Sequence, residues 1–118
     1  MIKNVTHGQL VKGVLDYLDL MGKRYPLYAF KSSSGTVKTE DGRFFSSGKS
    51  GCPDITCCFN TGIYIGMECK VGKDKQSELQ KIAQKEIEVA GGYYFIIRSM
   101  DDAQEALKWV ILNSGTIK

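Results

Sequence analysis

The stretch GCPDITCCFNTGIYIGMECK, residues 51–70, contains two short apolar segments on either side of the tripeptide NTG. The segments 54–59 and 63–71 are predicted strands, and a three-residue loop with glycine in its last position is a favoured hairpin connection. Charged side chains are rarely placed in half-buried strands without a reason. Three such residues interrupt this apolar pattern, namely Asp54, Glu68 and Lys70.

The predicted hairpin brings these charges together. Centring the turn on Thr61 places Asp54 opposite Glu68, and opposed side chains on one face of an antiparallel pair lie about 4.5–5.5 Å apart. Lys70 follows Glu68 by two residues and therefore lies on the same face. Two adjacent carboxylates repel each other, so one takes a proton or a cation compensates. Hard oxygen ligands of this kind suit Mg²⁺ or Mn²⁺.

Two alternatives stay open for this cluster. A bulge in the turn would shift the register and separate the acids. Glu68 and Lys70 are otherwise ordinary solvent-facing charges on a strand whose alternate positions are apolar. Gly66 favours a site, because a residue without a side chain leaves open room beside the charges.

The remaining segments predict an α/β fold with the order α-β-β-β-α-β-α. Apolar residues recur at helical spacing in three segments, which are 6–21, 75–90 and Ala103 to Ile111. Further strands are predicted at 25–33 and 93–99. The segment 33–51 is rich in Gly and Ser and predicts a long, mobile hairpin or loop with a short strand at most. Ser99 and Asp102 resemble a capping box that starts the last helix.

Bulk composition is that of one compact domain, residues 1–118, with 42% hydrophobic residues and a net charge of +3. That charge is compatible with a polyanionic partner. The four cysteines show no CxxC spacing, and Cys57 and Cys58 are adjacent, which argues against structural zinc. The N-terminal residues lack the apolar region of a secretory signal, so reduced thiols and a cytoplasmic location are expected. No apolar run approaches the about 20 residues that cross a bilayer.

The strings GCPDI and GMECK match the PD-(D/E)xK nuclease signature. The ordered set around them is more specific: an amphipathic first helix, SSG, the PD and ExK strands, a helix with Gln80, and then AGGYYFIIRSMDDA. Over about residues 7 to 111 the chain resembles the VRR-NUC branch of that superfamily. The resemblance implies a restriction-endonuclease-like core, in which helices flank a mixed central sheet of about four strands.

The resemblance also implies roles for individual residues. Asp54 and Glu68 would bind the metal together with the backbone carbonyl of Cys69, Lys70 would hold or activate water, and Gln80 would support the site. The family often has a metal-binding glutamate near the start of the first helix, and His7 or Gln9 is the candidate replacement here. At the position of a family asparagine this chain has Ser33.

The function implied is a divalent-metal-dependent DNA endonuclease, selective for branched DNA such as Holliday junctions, without an organic cofactor or a membrane partner. A homodimer is expected, with the aromatic residues of 25–30 and 44–45 as its interface or simply as core. A phage or mobile-element source is expected. The alternatives are a general or restriction-like repair endonuclease and a catalytically weak DNA-binding module. The expected phosphate contacts are Lys31, Lys38, Arg43, Lys49, Lys73, Lys75 and Lys81.

Overall fold

The computed structural model describes residues 4–32, 36–38, 40–46 and 49–114. Its helices are α1 (His7–Met21), α2 (Glu78–Val89) and α3 (Met100–Asn113). Its strands are β1 (Leu27–Lys31), β2 (Thr36–Lys38), β3 (Phe44–Ser46), β4 (Ile55–Phe59), β5 (Ile63–Cys69) and β6 (Tyr93–Ile97). The predicted order is confirmed for these helices and for the strands of the main sheet, and two short strands that it lacked, β2 and β3, pair as an antiparallel hairpin within the Gly/Ser-rich segment. None of these helices is long and apolar enough to span a membrane.

A four-stranded sheet in the order β1-β4-β5-β6 forms the centre of the fold. β1, β4 and β5 are antiparallel neighbours, whereas β5 and β6 run parallel. The sheet is therefore mixed, as predicted. The parallel pair arises because the crossover through α2 returns the chain in the direction of β5.

The β4–β5 hairpin has the predicted register, with Phe59 opposite Ile63 and Ile55 opposite Met67. Its three-residue loop turns in the left-handed region throughout, with φ values of 24° at Asn60, 63° at Thr61 and 89° at Gly62. Asn60 and Thr61 therefore share the left-handed conformation with Gly62, the glycine that favours this loop in its last position.

The two faces of the sheet have different cover. Side chains of α1 and α3 pack on one face, the core face, and these buried residues form a single hydrophobic cluster. Members of the cluster from the sheet are Ile55, Cys57, Phe59, Ile65, Met67, Cys69 and Ile97. The opposite face, here called the outer face, contains Glu68 and is covered by α2 on its β6 side. Gln76 of the loop before α2 donates to the Tyr94 hydroxyl there at 3.1 Å.

The cysteines follow the predicted alternation, with Cys57 buried in the core face and Cys58 exposed on the outer face. All four are free thiols. Burial raises the pKa of Cys57 and of Cys69 to about 12. Both thiols are therefore uncharged at neutral pH and serve as packing groups.

The start of α3 differs in detail from the predicted capping box. The Ser99 hydroxyl accepts from Asp102 N at 3.2 Å, as expected. The Asp102 carboxylate, however, accepts from Arg98 N at 2.9 Å, one residue before the cap. α2 begins later than predicted, because Ser77 caps it and the residues before Ser77 are not helical.

Candidate active site

The two acids lie side by side where the β4–β5 ladder ends. Asp54 N donates to Glu68 Oε1 at 3.1 Å, and Cys69 N donates to Asp54 Oδ2 at 3.0 Å. The residues are 6% and 2% exposed, respectively. The backbone N–H of Asp54, which directly precedes β4, holds the Glu68 carboxylate, and the N–H of Cys69 holds the Asp54 carboxylate, so the two acids meet as the hairpin register predicted.

Pro53 ends this ladder and leaves the backbone carbonyl of Cys69 without a hydrogen-bond donor from β4. In the hairpin register Pro53 is the residue opposite Cys69, and proline has no N–H to donate to the Cys69 carbonyl. The Cys69 N–H donates to the Asp54 carboxylate and not to the Pro53 carbonyl, which accepts from the Ser32 hydroxyl. Lys70 N donates to Ile97 O of β6, so by alternation the Cys69 carbonyl faces the other way, toward Asp54.

Lys70 and Gln80 both approach Glu68 Oε2. The Lys70 ammonium lies 3.4 Å away, with its side chain 13% exposed, and Gln80 Nε2 donates at 2.7 Å. Gln80 Oε1 accepts from Ser77 N at 2.9 Å, which completes the capping box of α2. One amide therefore fixes the start of α2 and orients Glu68.

His7 completes the group from the opposite side. Its Nε2 lies 2.9 Å from Asp54 Oδ2, and its side chain is 47% exposed. Thr6 caps α1 and places His7 at the first helical residue. Gln9 is directed elsewhere, because its Oε1 accepts from Thr6 N at 2.9 Å.

The negative charge of Glu68 is unfavourable at this site. Burial raises the pKa of Glu68, the charge of Asp54 raises it further, and Lys70 opposes both effects. A folded chain that keeps Glu68 ionised therefore holds a charge that burial disfavours. A divalent cation held between the two acids would relieve this cost by neutralising both charges.

The oxygen atoms available as ligands at this site suit a hard divalent cation, although they are few. Five donors contact the two carboxylates, which offer about eight lone-pair sites between them. Acceptor capacity remains, and the Cys69 carbonyl is a further oxygen beside them. The described residues contain no group of three or more His, Cys, Asp or Glu side chains that could hold a metal ion. The ligands would thus be Asp54, Glu68 and a backbone oxygen, completed by water.

The room expected beside Gly66 is filled. A Cβ at Gly66 would lie 2.7 Å from Pro53 Cγ and 3.3 Å from Tyr64 Cε1. Gly66 therefore serves a close approach: it lets Pro53 pack flat on β5 and so places Asp54. The sequence-based reason for preferring a site over a solvated surface was wrong in this respect, whereas the predicted clustering of the charges is found.

The predicted phosphate contacts are scattered. Lys73 and Lys75 are exposed in the loop after β5, while Lys31 is exposed at the end of β1 on the core-face side. Three others contact acids: Arg43 contacts Asp41 at 3.1 Å, Lys49 contacts Glu86 at 3.5 Å and Lys81 contacts Glu78 at 3.2 Å. Such exposed pairs are weak and readily exchanged for a phosphate. The Lys38 side chain and Ser33 lie outside the described residues.

Two structural contributors were not anticipated. Ser32 N donates to Asp54 O at 2.8 Å, and the Ser32 hydroxyl donates to Pro53 O at 2.7 Å. The guanidinium of Arg98 donates to Gly72 O at 3.4 Å and to Asp74 O at 2.8 Å, which holds the loop that contains Lys73. Alternation along β1 places Ser32 on the same face as Asp54, so the sequence could have indicated its role. No sequence signal indicates which carbonyls Arg98 binds.

The mixed sheet with acids on the hairpin strands and a lysine beside them is a restriction-endonuclease-like α/β architecture. The fold is similar to that of a solved structure described as "VRR_NUC domain", with a TM-score of 0.57 and 17% sequence identity over 82% of this chain and 92% of that chain. The resemblance expected from the sequence is confirmed at the level of the fold. A scan against models of protein families and a search of curated proteins find no match.

Proposed function

We propose that the chain is a metal-dependent DNA endonuclease that hydrolyses phosphodiester bonds. The observation that carries this proposal is the meeting of two buried carboxylates and Lys70 on a VRR_NUC fold. Paired carboxylates at this depth are unfavourable for stability, which argues that they are retained for chemistry.

Each residue has a role in this proposal. Asp54 and Glu68, with the Cys69 carbonyl, hold Mg²⁺ or Mn²⁺; when bound, such an ion supplies charge neutralisation at the phosphate and lowers the pKa of a coordinated water. Lys70 holds the attacking water in line with the phosphorus. Gln80 keeps the Glu68 carboxylate in one orientation. His7 holds Asp54 from the solvent side, where the family often has a glutamate.

The preferred substrate in this proposal is branched DNA, such as a Holliday junction, cleaved by a homodimer. Two active sites related by a two-fold axis suit a four-way junction. A cytoplasmic setting and a phage or mobile-element source stay predictions from the sequence.

Cleavage of labelled duplex, flap and four-way substrates with Mg²⁺, Mn²⁺ or EDTA tests this function. We expect metal-dependent cutting, fastest on the branched substrates. Equal rates on plain duplex would favour a general or restriction-like repair endonuclease instead. DNA binding without turnover in either metal would favour a catalytically weak binding module, an alternative that is consistent with His7, which supplies no negative charge where the family often has a glutamate.

A second prediction concerns Lys73 and Lys75, the proposed phosphate contacts in the loop after β5. A Lys73→Gln, Lys75→Gln double variant should bind branched DNA more weakly, and its plot of log K against log salt should be shallower by about 2. The reason is that each lost contact releases about one fewer counterion. Lys108→Gln, an exposed change on α3, is the matched control. An unchanged salt slope in the double variant would exclude this loop from the DNA interface.

A further inference from the structure

We infer that two aromatic rings of β1, Tyr28 and Phe30, form a stacking surface for unpaired nucleotides next to the candidate active site. This inference rests on the proposed function for the position of the DNA, and it specifies which feature of branched DNA the protein recognises. Both rings are solvent-exposed, at 69% for Tyr28 and 45% for Phe30. Their centroids are 5.9 Å apart and their planes are tilted by 43°. Tyr25, by contrast, packs against the core.

The stacking surface shares the outer face with the two acids. In the sheet register Phe30 lies opposite Thr56 and Thr56 opposite Gly66, while Tyr28 lies opposite Cys58 and Cys58 opposite Tyr64. Asp54 and Glu68 occupy the next row of the same face, beyond the row of Phe30. Successive rows are about 6.8 Å apart. A strand with its phosphate at the acids thus meets Phe30 one row away and Tyr28 two rows away.

The position of α2 determines the direction in which a DNA strand can leave the two acids. On the β6 side of the outer face, Gln80 contacts Glu68 at 2.7 Å and Gln76 contacts Tyr94 at 3.1 Å, so the helix and the loop before it cover that half. The β1 side presents exposed rings and the exposed Cys58. DNA that leaves the acids across the sheet therefore passes over β4 and β1.

A chain of hydroxyl groups links the stacking surface to the site. Thr56 Oγ1 donates to Ser32 Oγ at 2.9 Å and lies 3.0 Å from the Tyr64 hydroxyl. Ser32 in turn binds the Pro53 carbonyl at 2.7 Å. The floor between the rings and Asp54 therefore carries hydroxyl groups beside the Pro53 ring, and the sugar and phosphate oxygens of a nucleotide can bond to such groups.

A second copy of this chain fits the surface less well than a base does. Aromatic side chains bury about 150–250 Å² each, so two rings supply far less than the about 800 Å² per partner of a stable interface. Bases stack on isolated exposed rings without any sequence requirement. The expected ligand is therefore a short unpaired segment of DNA, as at a flap or the open centre of a junction.

The test measures binding in EDTA, so that cleavage plays no part. The probes are fluorescein-labelled oligo(dT) of about 12 nucleotides and a hairpin duplex of the same length. We expect Phe30→Ala and Tyr28→Ala each to weaken oligo(dT) binding by about fivefold or more and duplex binding by less than about twofold. Phe30→Tyr and Tyr28→Phe should retain affinity because they keep the ring. Leu112→Ala, an exposed apolar change on α3, is the matched control.

Three results would overturn the inference. Ala variants that bind oligo(dT) normally would remove the rings from the DNA interface. Equal losses on duplex would show general rather than stacking contact. Ala variants that dissociate a dimer in sedimentation, with normal oligo(dT) affinity, would assign the rings to a second copy. If the wild-type protein lacked nuclease activity but showed ring-dependent oligo(dT) binding, the proposed function would fail and the stacking surface would stand.

Discussion

Glu68→Gln and Asp54→Asn proteins are expected to cleave DNA at least about a thousandfold more slowly than the unaltered chain. Each change keeps the shape of the side chain and removes one of the two charges proposed to hold the metal. Charge stabilisation by a bound ion is worth several kcal/mol at the transition state, which corresponds to a loss of this size. Single-turnover cleavage with saturating Mn²⁺ measures it.

The Glu68→Gln variant should also be at least as stable as the parent when no metal is present. Burial and Asp54 both raise the pKa of Glu68, so the ionised carboxylate is unfavourable in the fold, and a neutral amide removes that cost. Thermal melting in EDTA tests this. Addition of Mg²⁺ or Mn²⁺ should raise the melting temperature of the parent and have a smaller effect on the variant.

Glu105→Gln, an exposed change on α3, should alter neither cleavage nor metal-dependent melting. An inactive variant that is more stable than its parent separates a functional role from a structural one, because a purely structural acid should reduce stability when lost. Normal cleavage by Glu68→Gln would show that Glu68 is not a metal ligand.

Most of the architecture was accessible from local patterns. The hairpin register followed from the loop length and the position of Thr61 alone, and this register brought Asp54 and Glu68 together. Helical spacing located three helices, with ends that differ by a few residues. Such signals are local, because they depend on turn chemistry and on the periodicity of apolar residues.

Contacts between distant segments were not accessible in this way. The shared use of Gln80 by the α2 cap and by Glu68 depends on how α2 docks on the sheet, and the sequence contains no measure of that position. Gly66 was interpreted as open space, whereas Pro53 packs there. The exposure of Tyr28 and Phe30 also depends on which face α2 covers. The sequence predicted which helices and strands exist, but it did not predict how they pack against one another.

The second large effect concerns such a docking contact, at Gly51. This glycine has a φ of 78°, and a Cβ on it would lie 2.6 Å from the Leu79 carbonyl carbon and 3.0 Å from Gln80 N. The Gly51 backbone thus contacts the first turn of α2 directly. Gly51→Ala must push that turn outward and carry Gln80 away from Glu68.

Gly91→Ala separates this contact from backbone strain. Gly91 has a φ of 94°, and a Cβ there would meet no atom within 4 Å. Its alanine variant should lose about 1–2 kcal/mol from left-handed strain alone and cleave DNA normally. Gly51→Ala should lose a further about 1–3 kcal/mol from overpacking, because backbone atoms of α2 cannot rotate out of the way as a flexible side chain does.

Urea unfolding and single-turnover cleavage of the two variants decide the matter. We expect Gly51→Ala, assayed at a temperature where it is folded, to cleave more slowly than Gly91→Ala, because Glu68 loses the amide that orients its carboxylate. Equal stability and equal cleavage in the two variants would show that α2 accommodates the methyl group without moving Gln80. A loss of stability in Gly51→Ala without any loss of cleavage would contradict the role given to Gln80, because the first turn of α2 would then have moved without consequence for the chemistry.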